Sequence, residues 1–211
     1  MAESATDQRF WDERYRESDR IWSGRPNAAL VREITGLAPG RALDLGCGEG
    51  ADAIWLAEHG WQVTAVDITE VALGRAAEHA RTQGVADRVT FQRHTLGETF
   101  PAGTFDLISA CYLHSRGDMP REEILRTAVA AVAPGGTLLV VSHAGFPHWE
   151  AGPDHEHVRF PTPEETLAAL ELAEGAWEVL RCAEHTTEQR RPDGQPDVRT
   201  DSTVKIRRLT A

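Results

Sequence analysis

Three glycines, Gly46, Gly48 and Gly50, stand between an apolar run at 42–45 and a helical pattern that opens at Ala51. Glycine takes up left-handed backbone without steric cost and lets a ligand approach the main chain. Asp44-Leu45-Gly46-Cys47-Gly48-Glu49-Gly50 therefore reads as a cradle, with a plain tight turn as the bland alternative. Carboxylates flank it. Asp44 precedes the first glycine by two residues, where it can orient the loop and meet a cationic ligand group. Asp67 follows Gly50 by 17 residues at the end of the next apolar run, where it can accept from ribose hydroxyls or cap the helix that follows. Gly46-x-Gly48-x-x-Ala51 satisfies the dinucleotide fingerprint, but a pyrophosphate beside Asp44 is repelled. Lys205 is the only lysine, badly placed for a Tyr/Lys hydride-transfer site, and no second domain offers a reducible substrate a home.

Histidines supply the other candidate chemistry. His114, His143, His148, His155 and His157 follow strand patterns or fall in the segment 144–160. An imidazole at a substrate mouth is a proton acceptor, and His114 and His143 are the candidates. A solvated histidine-rich loop is the bland alternative. The spacing matches no metal motif, so no metal site is expected. Cys47, Cys111 and Cys182 are odd in number and lack a Cys-x-x-Cys pair, which predicts free thiols. Cys47 is in the loop, where it needs only to be small.

Strand-like runs at 42–45, 62–66, 89–92, 105–110 and 137–142 alternate with helical patterns at 51–59, 70–82 and 121–132. That alternation predicts an α/β fold: a Rossmann-like, doubly wound parallel sheet with helices on both faces and the ligand at the strands' carboxyl ends. Thr162-Pro163-Glu164-Glu165 opens a further helix over 161–172. Strand patterns at 177–182 and 198–207 follow, joined by Arg191-Pro192-Asp193-Gly194 with no room for a helix. They predict an antiparallel hairpin closing a seven-stranded sheet. No domain boundary interrupts residues 1–211. Residues 1–33 and 144–160 stay outside the sheet, and their Gly24-Arg25-Pro26 and Gly152-Pro153 breaks predict loops that act as lids.

The chain has 211 residues, 41% of them hydrophobic, and no 18-residue apolar run to span a membrane. Its polar N-terminus lacks the core of a secretory signal, so the cytoplasm is expected. A net charge of −11 and a pI near 5.3 disfavour a nucleic-acid partner and favour a small molecule. A monomer or a homodimer is expected.

The run from Asp44 to Gly50 with Asp67 resembles the cofactor motifs of class I S-adenosylmethionine-dependent methyltransferases. The resemblance continues through Thr104-Phe105-Asp106-Leu107-Ile108 and Pro134-Gly135-Gly136-Thr137-Leu138, covering roughly residues 40 to 143. Phe10-Trp11-Asp12-Glu13-Arg14-Tyr15 and Ile21-Trp22-Ser23-Gly24-Arg25-Pro26-Asn27 look like the cofactor-covering segment of the tellurite-resistance and thiopurine methyltransferase branch.

The resemblance implies S-adenosylmethionine as cofactor and S-adenosylhomocysteine as product. Gly46, Cys47, Gly48 and Gly50 are implied along the methionine and ribose, and Asp67 on the ribose hydroxyls. Ile68 is implied over the adenine, His94, Thr95 and Leu96 at its edge, and Ala110 and Cys111 beside the sulfonium. Trp11, Tyr15 and Trp22 are implied as cover, unless they only pack a terminal helix, and Arg25 on the methionine carboxylate. The implied reaction is methyl transfer to a small acceptor, leaning to a thiol, chalcogenide or other soft heteroatom. The alternatives are O- or N-methylation of a natural product and cofactor binding without turnover.

Overall fold

The computed structural model describes residues 2–114, 119–145, 160–191 and 193–210. His148, His155 and His157, with most of the segment 144–160, lie outside the described residues. Five strands, β1 (Arg41–Leu45), β2 (Gln62–Asp67), β3 (Val89–Arg93), β4 (Phe105–Cys111) and β5 (Val132–His143), run parallel. Two more, β6 (Trp177–Arg190) and β7 (Pro196–Arg208), pair with each other and with β5 in the antiparallel sense. The strand order β3-β2-β1-β4-β5-β7-β6 makes one mixed sheet. Its topological switch point lies between β1 and β4, where a ligand crevice is expected. This is the Rossmann-like, doubly wound architecture that the sequence predicts.

Alternation along the buried strands divides the core into two. Ala42 of β1 and Leu139 and Val141 of β5 face a layer formed with α2 (Ala28–Ile34) and α3 (Ala51–Glu58). Leu43, Leu45, Leu138 and Val140 face the other layer, with Ile124, Leu125 and Ala128 of α5 (Arg121–Ala131) and Leu170 after α6 (Pro163–Ala169). Each fully buried leucine contributes about 1.5–3 kcal/mol of burial. α4 (Glu70–Thr82) packs on β2 and β3. Its cap is Thr69, whose hydroxyl accepts from Ala72 N at 2.9 Å. Asp67 therefore does not cap this helix.

Three features depart from the sequence reading. Residues 10–27 were expected as a lid loop, with a packed terminal helix as the alternative; α1 (Ala2–Arg16) carries the first part as helix, with Asp12 and Arg16 paired one turn apart at 3.8 Å. Pro134-Gly135-Gly136, which precedes the strand pattern expected at 137–142, lies inside β5. The pairing shifts register between Phe105 and Leu107 there, and a Cβ on Gly136 would fall 2.9 Å from two backbone oxygens. Glycine permits that bulge. The hairpin strands run to Arg190 and begin again at Pro196, beyond the expected 182 and 198. The extension is polar on both faces, so hydrophobic alternation cannot report it.

Candidate functional site

β1 ends at the glycine loop. Gly46, Gly48 and Gly50 all have positive φ, at 71°, 52° and 85°. The amides of Gly46 and Cys47 both donate to Val66 O at 2.9 Å, folding the loop over the end of β2. Asp67, at that end, accepts from Gly48 N at 2.9 Å and from Thr69 N at 3.0 Å, so its carboxylate fixes both the loop and the turn into α4. A Cβ on Gly48 would lie 2.9 Å from Tyr15 Oη and 3.3 Å from Trp22 Nε1. One on Gly46 would lie 2.8 Å from Leu113 Cδ1. Only glycine leaves room on both sides of the loop.

Four carboxylates crowd this loop, and each is buried: Asp44, Glu49, Asp52 and Asp67. Asp44 accepts from Ser109 Oγ at 2.9 Å through Oδ1, while its Oδ2 is buried without a partner among the described residues. Burial first, then repulsion from Asp52 and Asp67, pushes its pKa up to about 8 against that one hydrogen bond. Asp52 is held by Asn27 N and Nδ2, both at 2.7 Å. Glu49 pairs with Arg75 Nη1 at 2.9 Å and accepts the amide of Trp22 at 3.1 Å and that of Ile21 at 3.3 Å. Arg75 also donates to Tyr15 O, and Trp22 Nε1 donates to Tyr15 Oη at 3.0 Å. This network lays the segment after α1 onto the loop.

The predicted contacts divide accordingly. Tyr15 and Trp22 reach the loop, and Trp11 packs on Tyr15 with ring centroids 6.2 Å apart. Arg25 is exposed, its amide on Ser23 Oγ. Ile68 is half-buried after β2. The His94 amide donates to Asp67 O at 3.0 Å, and its ring lies within 3.2 Å of Gln92 Oε1 and Thr99 Oγ1. The Thr95 carbonyl accepts from Glu98 and Thr99, and Leu96 packs on the α5 side of the core. Ala110 and Cys111 are buried at the end of β4, with the Cys111 thiol on Asp52. Burial and the neighbouring acids push the Cys47 and Cys111 thiols up, so neither is an activated nucleophile. The only lysine, Lys205, donates to the Glu33 carbonyl.

Across the switch point lies a second group of side chains. His143, ending β5, pairs through Nδ1 with Asp201 Oδ1 of β7 at 3.0 Å. Tyr112 Oη and Arg199 donate to the same carboxylate. His114 stacks on His143, centroids 5.2 Å apart. Sequence reasoning found both histidines but not Tyr112, Arg199 or Asp201. The one available signal was an acid in an otherwise uncharged stretch, Asp201-Ser202-Thr203-Val204. Glu49 and Asp52 could have been noticed as acids at a helix start; nothing local marks Asn27 or Arg75. Among the described residues no three His, Cys, Asp or Glu side chains cluster as metal ligands.

These features fit S-adenosylmethionine. An unpartnered buried carboxyl oxygen suits the ligand's cationic end, and a loop intolerant of any Cβ suits close approach of its chain. Residues 42–136 match the family model of a methyltransferase domain. A 27-O-demethylrifamycin SV methyltransferase of Amycolatopsis mediterranei is 36% identical over 130 residues, 56% of this chain and 47% of that protein. A ribosomal RNA small subunit methyltransferase C of Chromohalobacter salexigens is 33% identical over 112 residues, 51% and 33% of the two chains. The chain spans about a third to a half of the length of the curated relatives it first matches. The N-methyltransferase NodS from Bradyrhizobium japonicum, solved with S-adenosyl-L-homocysteine, shares the fold. Its TM-score is 0.69 at 21% identity, covering 96% of this chain and 98% of that one. Residues 42–136 are thus similar to a methyltransferase domain, and the sheet as a whole shares the fold of the solved N-methyltransferase.

Proposed function

We propose that the chain transfers the methyl group of S-adenosylmethionine to a small-molecule acceptor, with residues 1–211 acting as one domain. The observation that carries this reading is Asp44: a buried carboxyl with one oxygen lacking a described partner, beneath a loop that excludes any Cβ. In this reading Gly46, Cys47, Gly48 and Gly50 line the methionine and ribose, and Asp67 accepts from the ribose hydroxyls. Ile68, His94, Thr95 and Leu96 surround the adenine, and Ala110 and Cys111 lie beside the sulfonium. Trp11, Tyr15 and Trp22 cover the donor, and Arg25 turns inward to its carboxylate. The bound donor supplies an activated methyl group. The protein's own part is alignment and exclusion of water, an effect that can supply on the order of 7–11 kcal/mol.

The acceptor has two readings. Likeness of residues 10–15 and 21–27 to the tellurite-resistance and thiopurine branch leans to a thiol or chalcogenide, which ionises without help. The carboxylate behind His143 favours O- or N-methylation, which needs a proton removed. A net charge of −11 supports a small acceptor over a phosphate backbone. Calorimetric titration with S-adenosylmethionine, then label transfer to a panel of thiols, phenols and amines, tests the proposal. Donor binding with transfer to at least one class is expected. A folded chain that binds no donor overturns it, and binding without transfer to any class reduces it to a cofactor-binding protein.

A further inference from the structure

Asp201 is fully buried and sits in register with His143, its partner across the β5–β7 ladder. Donors converge on its two oxygens, among them His143 Nδ1 at 3.0 Å, Arg199 Nε at 2.8 Å, Arg199 Nη2 at 3.0 Å and Tyr112 Oη at 2.8 Å. Burial pulls its pKa upward, but the hydrogen bonds from His143 and Arg199 prevail and hold it well below the usual carboxylate range. An ionised carboxylate at Nδ1 keeps the ring proton on that atom, which leaves Nε2 as the atom that takes up another.

The His143 ring lies between two others, 4.5 Å from Tyr112 and 5.2 Å from His114. Both neighbours stay uncharged at neutral pH. Burial and His143 push the His114 pKa down to about 4, and burial and Asp201 push the Tyr112 phenol up. Arg199 also lies over the Tyr112 ring, 5.1 Å from its centroid. Tyr112 has φ +54°, a left-handed conformation that is strained for a bulky residue. Its bonds to Asp201 and Arg199 hold that turn in place. The stack adjoins the donor loop: Leu113, between Tyr112 and His114, is the residue a Cβ on Gly46 would strike.

Arg121 supplies the last element. From the first turn of α5 its Nη2 donates to Ser142 Oγ at 2.7 Å, on the face of β5 opposite His143; its charge reaches His114 and helps to push that pKa down, while its Nε is buried with no partner among the described residues. A guanidinium so placed favours a developing oxyanion and repels an ammonium. Histidine takes protons efficiently from hydroxyls whose acidity lies near its own, which means phenol- and enol-type groups rather than alcohols.

We infer that Asp201 is a positioning residue that makes His143 a general base through Nε2, and that the acceptor offers a phenol- or enol-type hydroxyl. This rests on the methyl-transfer reading above. Nε2 takes the hydroxyl proton, and the freed oxygen pair forms the O–C bond as the methyl carbon–sulfur bond breaks. That bond pair stays on sulfur as a neutral thioether, and the imidazolium returns its proton to water. Neither partner is oxidised or reduced.

The test uses the full chain, its Asp201→Asn and His143→Gln variants, para-substituted phenols of graded acidity, and thiophenol as the acceptor that needs no base. Calorimetry with S-adenosylhomocysteine should give the same affinity for all three proteins. His143→Gln should lower kcat for phenols roughly 10²–10⁴-fold, most for the least acidic, while thiophenol turnover stays near that of the wild type. Nitrogen-15 NMR of the wild-type imidazoles should show His143 carrying its proton on Nδ1, and Asp201→Asn should mix the tautomers and lower kcat with little change in KM. Equal losses for phenols and thiophenol, an Nε2–H tautomer in the wild type, or a donor-binding chain inert to every phenol overturns the inference. Failure of the wild type to bind S-adenosylhomocysteine overturns instead the methyl-transfer reading beneath it.

Discussion

At the floor of the glycine loop, Asp44 is neutral in the free protein below about pH 8, because burial and the acids around it disfavour its charge. Its folded pKa stands above the unfolded value, so the folded state binds the extra proton between those two values. The stability this group contributes is full below about pH 4 and is lost as pH rises through 8. A cationic donor reverses that preference. Binding at pH 7 should therefore release a proton and tighten toward pH 8, which titrations in buffers of different ionisation enthalpy will measure. Asp44→Asn should abolish the release, weaken binding by about 1.5–3 kcal/mol and leave the free protein no less stable at pH 8. Asp67 behaves differently. It accepts two backbone amides, so Asp67→Ala should cost stability, about 1–3 kcal/mol for each stranded amide, as well as donor affinity. Thermal melts and titrations together separate the two losses. The glycines and both aspartates were legible because backbone freedom and position after a strand follow from local sequence. Asp201 was not, since its meaning depends on which residue of β5 lies across from it.

One side chain holds the N-terminal segment to the loop at the scale of elements. Glu49 joins the Ile21 and Trp22 amides to Arg75 of α4, and Arg75 in turn donates to the Tyr15 carbonyl. Glu49→Gln keeps the shape but removes the charge. It should speed hydrogen exchange at residues 21 and 22 about tenfold, the equivalent of ~1.4 kcal/mol of local opening, and weaken donor binding. Mass-spectrometric exchange with and without S-adenosylhomocysteine measures both. Unchanged exchange would show that Tyr15 and Trp22 dock by packing alone. The sequence showed Gly24-Arg25-Pro26 as a break but offered the helix before it only as an alternative. α1 is polar along much of its length, so it lacks the apolar stripe by which helices announce themselves. The outer half of β6 escaped for a related reason: it pairs through backbone bonds that side-chain alternation does not record.

For the whole molecule, acid stability turns on His114 as well as on the carboxylates. Its folded pKa, about 4, lies below the unfolded value of 6.5, so the unfolded chain protonates first. The stability it contributes is present above 6.5 and is lost as pH falls toward 4, on the order of 2 kcal/mol once its partial exposure is allowed for. His114→Gln should flatten the Tm profile over that window relative to the wild type, as scanning calorimetry will show. The fold class was legible because alternating strand and helix patterns admit few architectures. What they left open was how the two edges of the crevice divide the chain between them. The donor loop is closed by contacts among residues 15 to 113, whereas His143 acquires its carboxylate from β7, which reaches the crevice only because it runs against β5. During synthesis the two edges therefore come into being at different times. A nascent chain emerged through β4 and Leu113 already holds every residue of the donor cradle, while the acceptor side has no counter-ion. A ribosome stalled before residue 201 would carry a chain able to grip the methyl donor and unable to spend it.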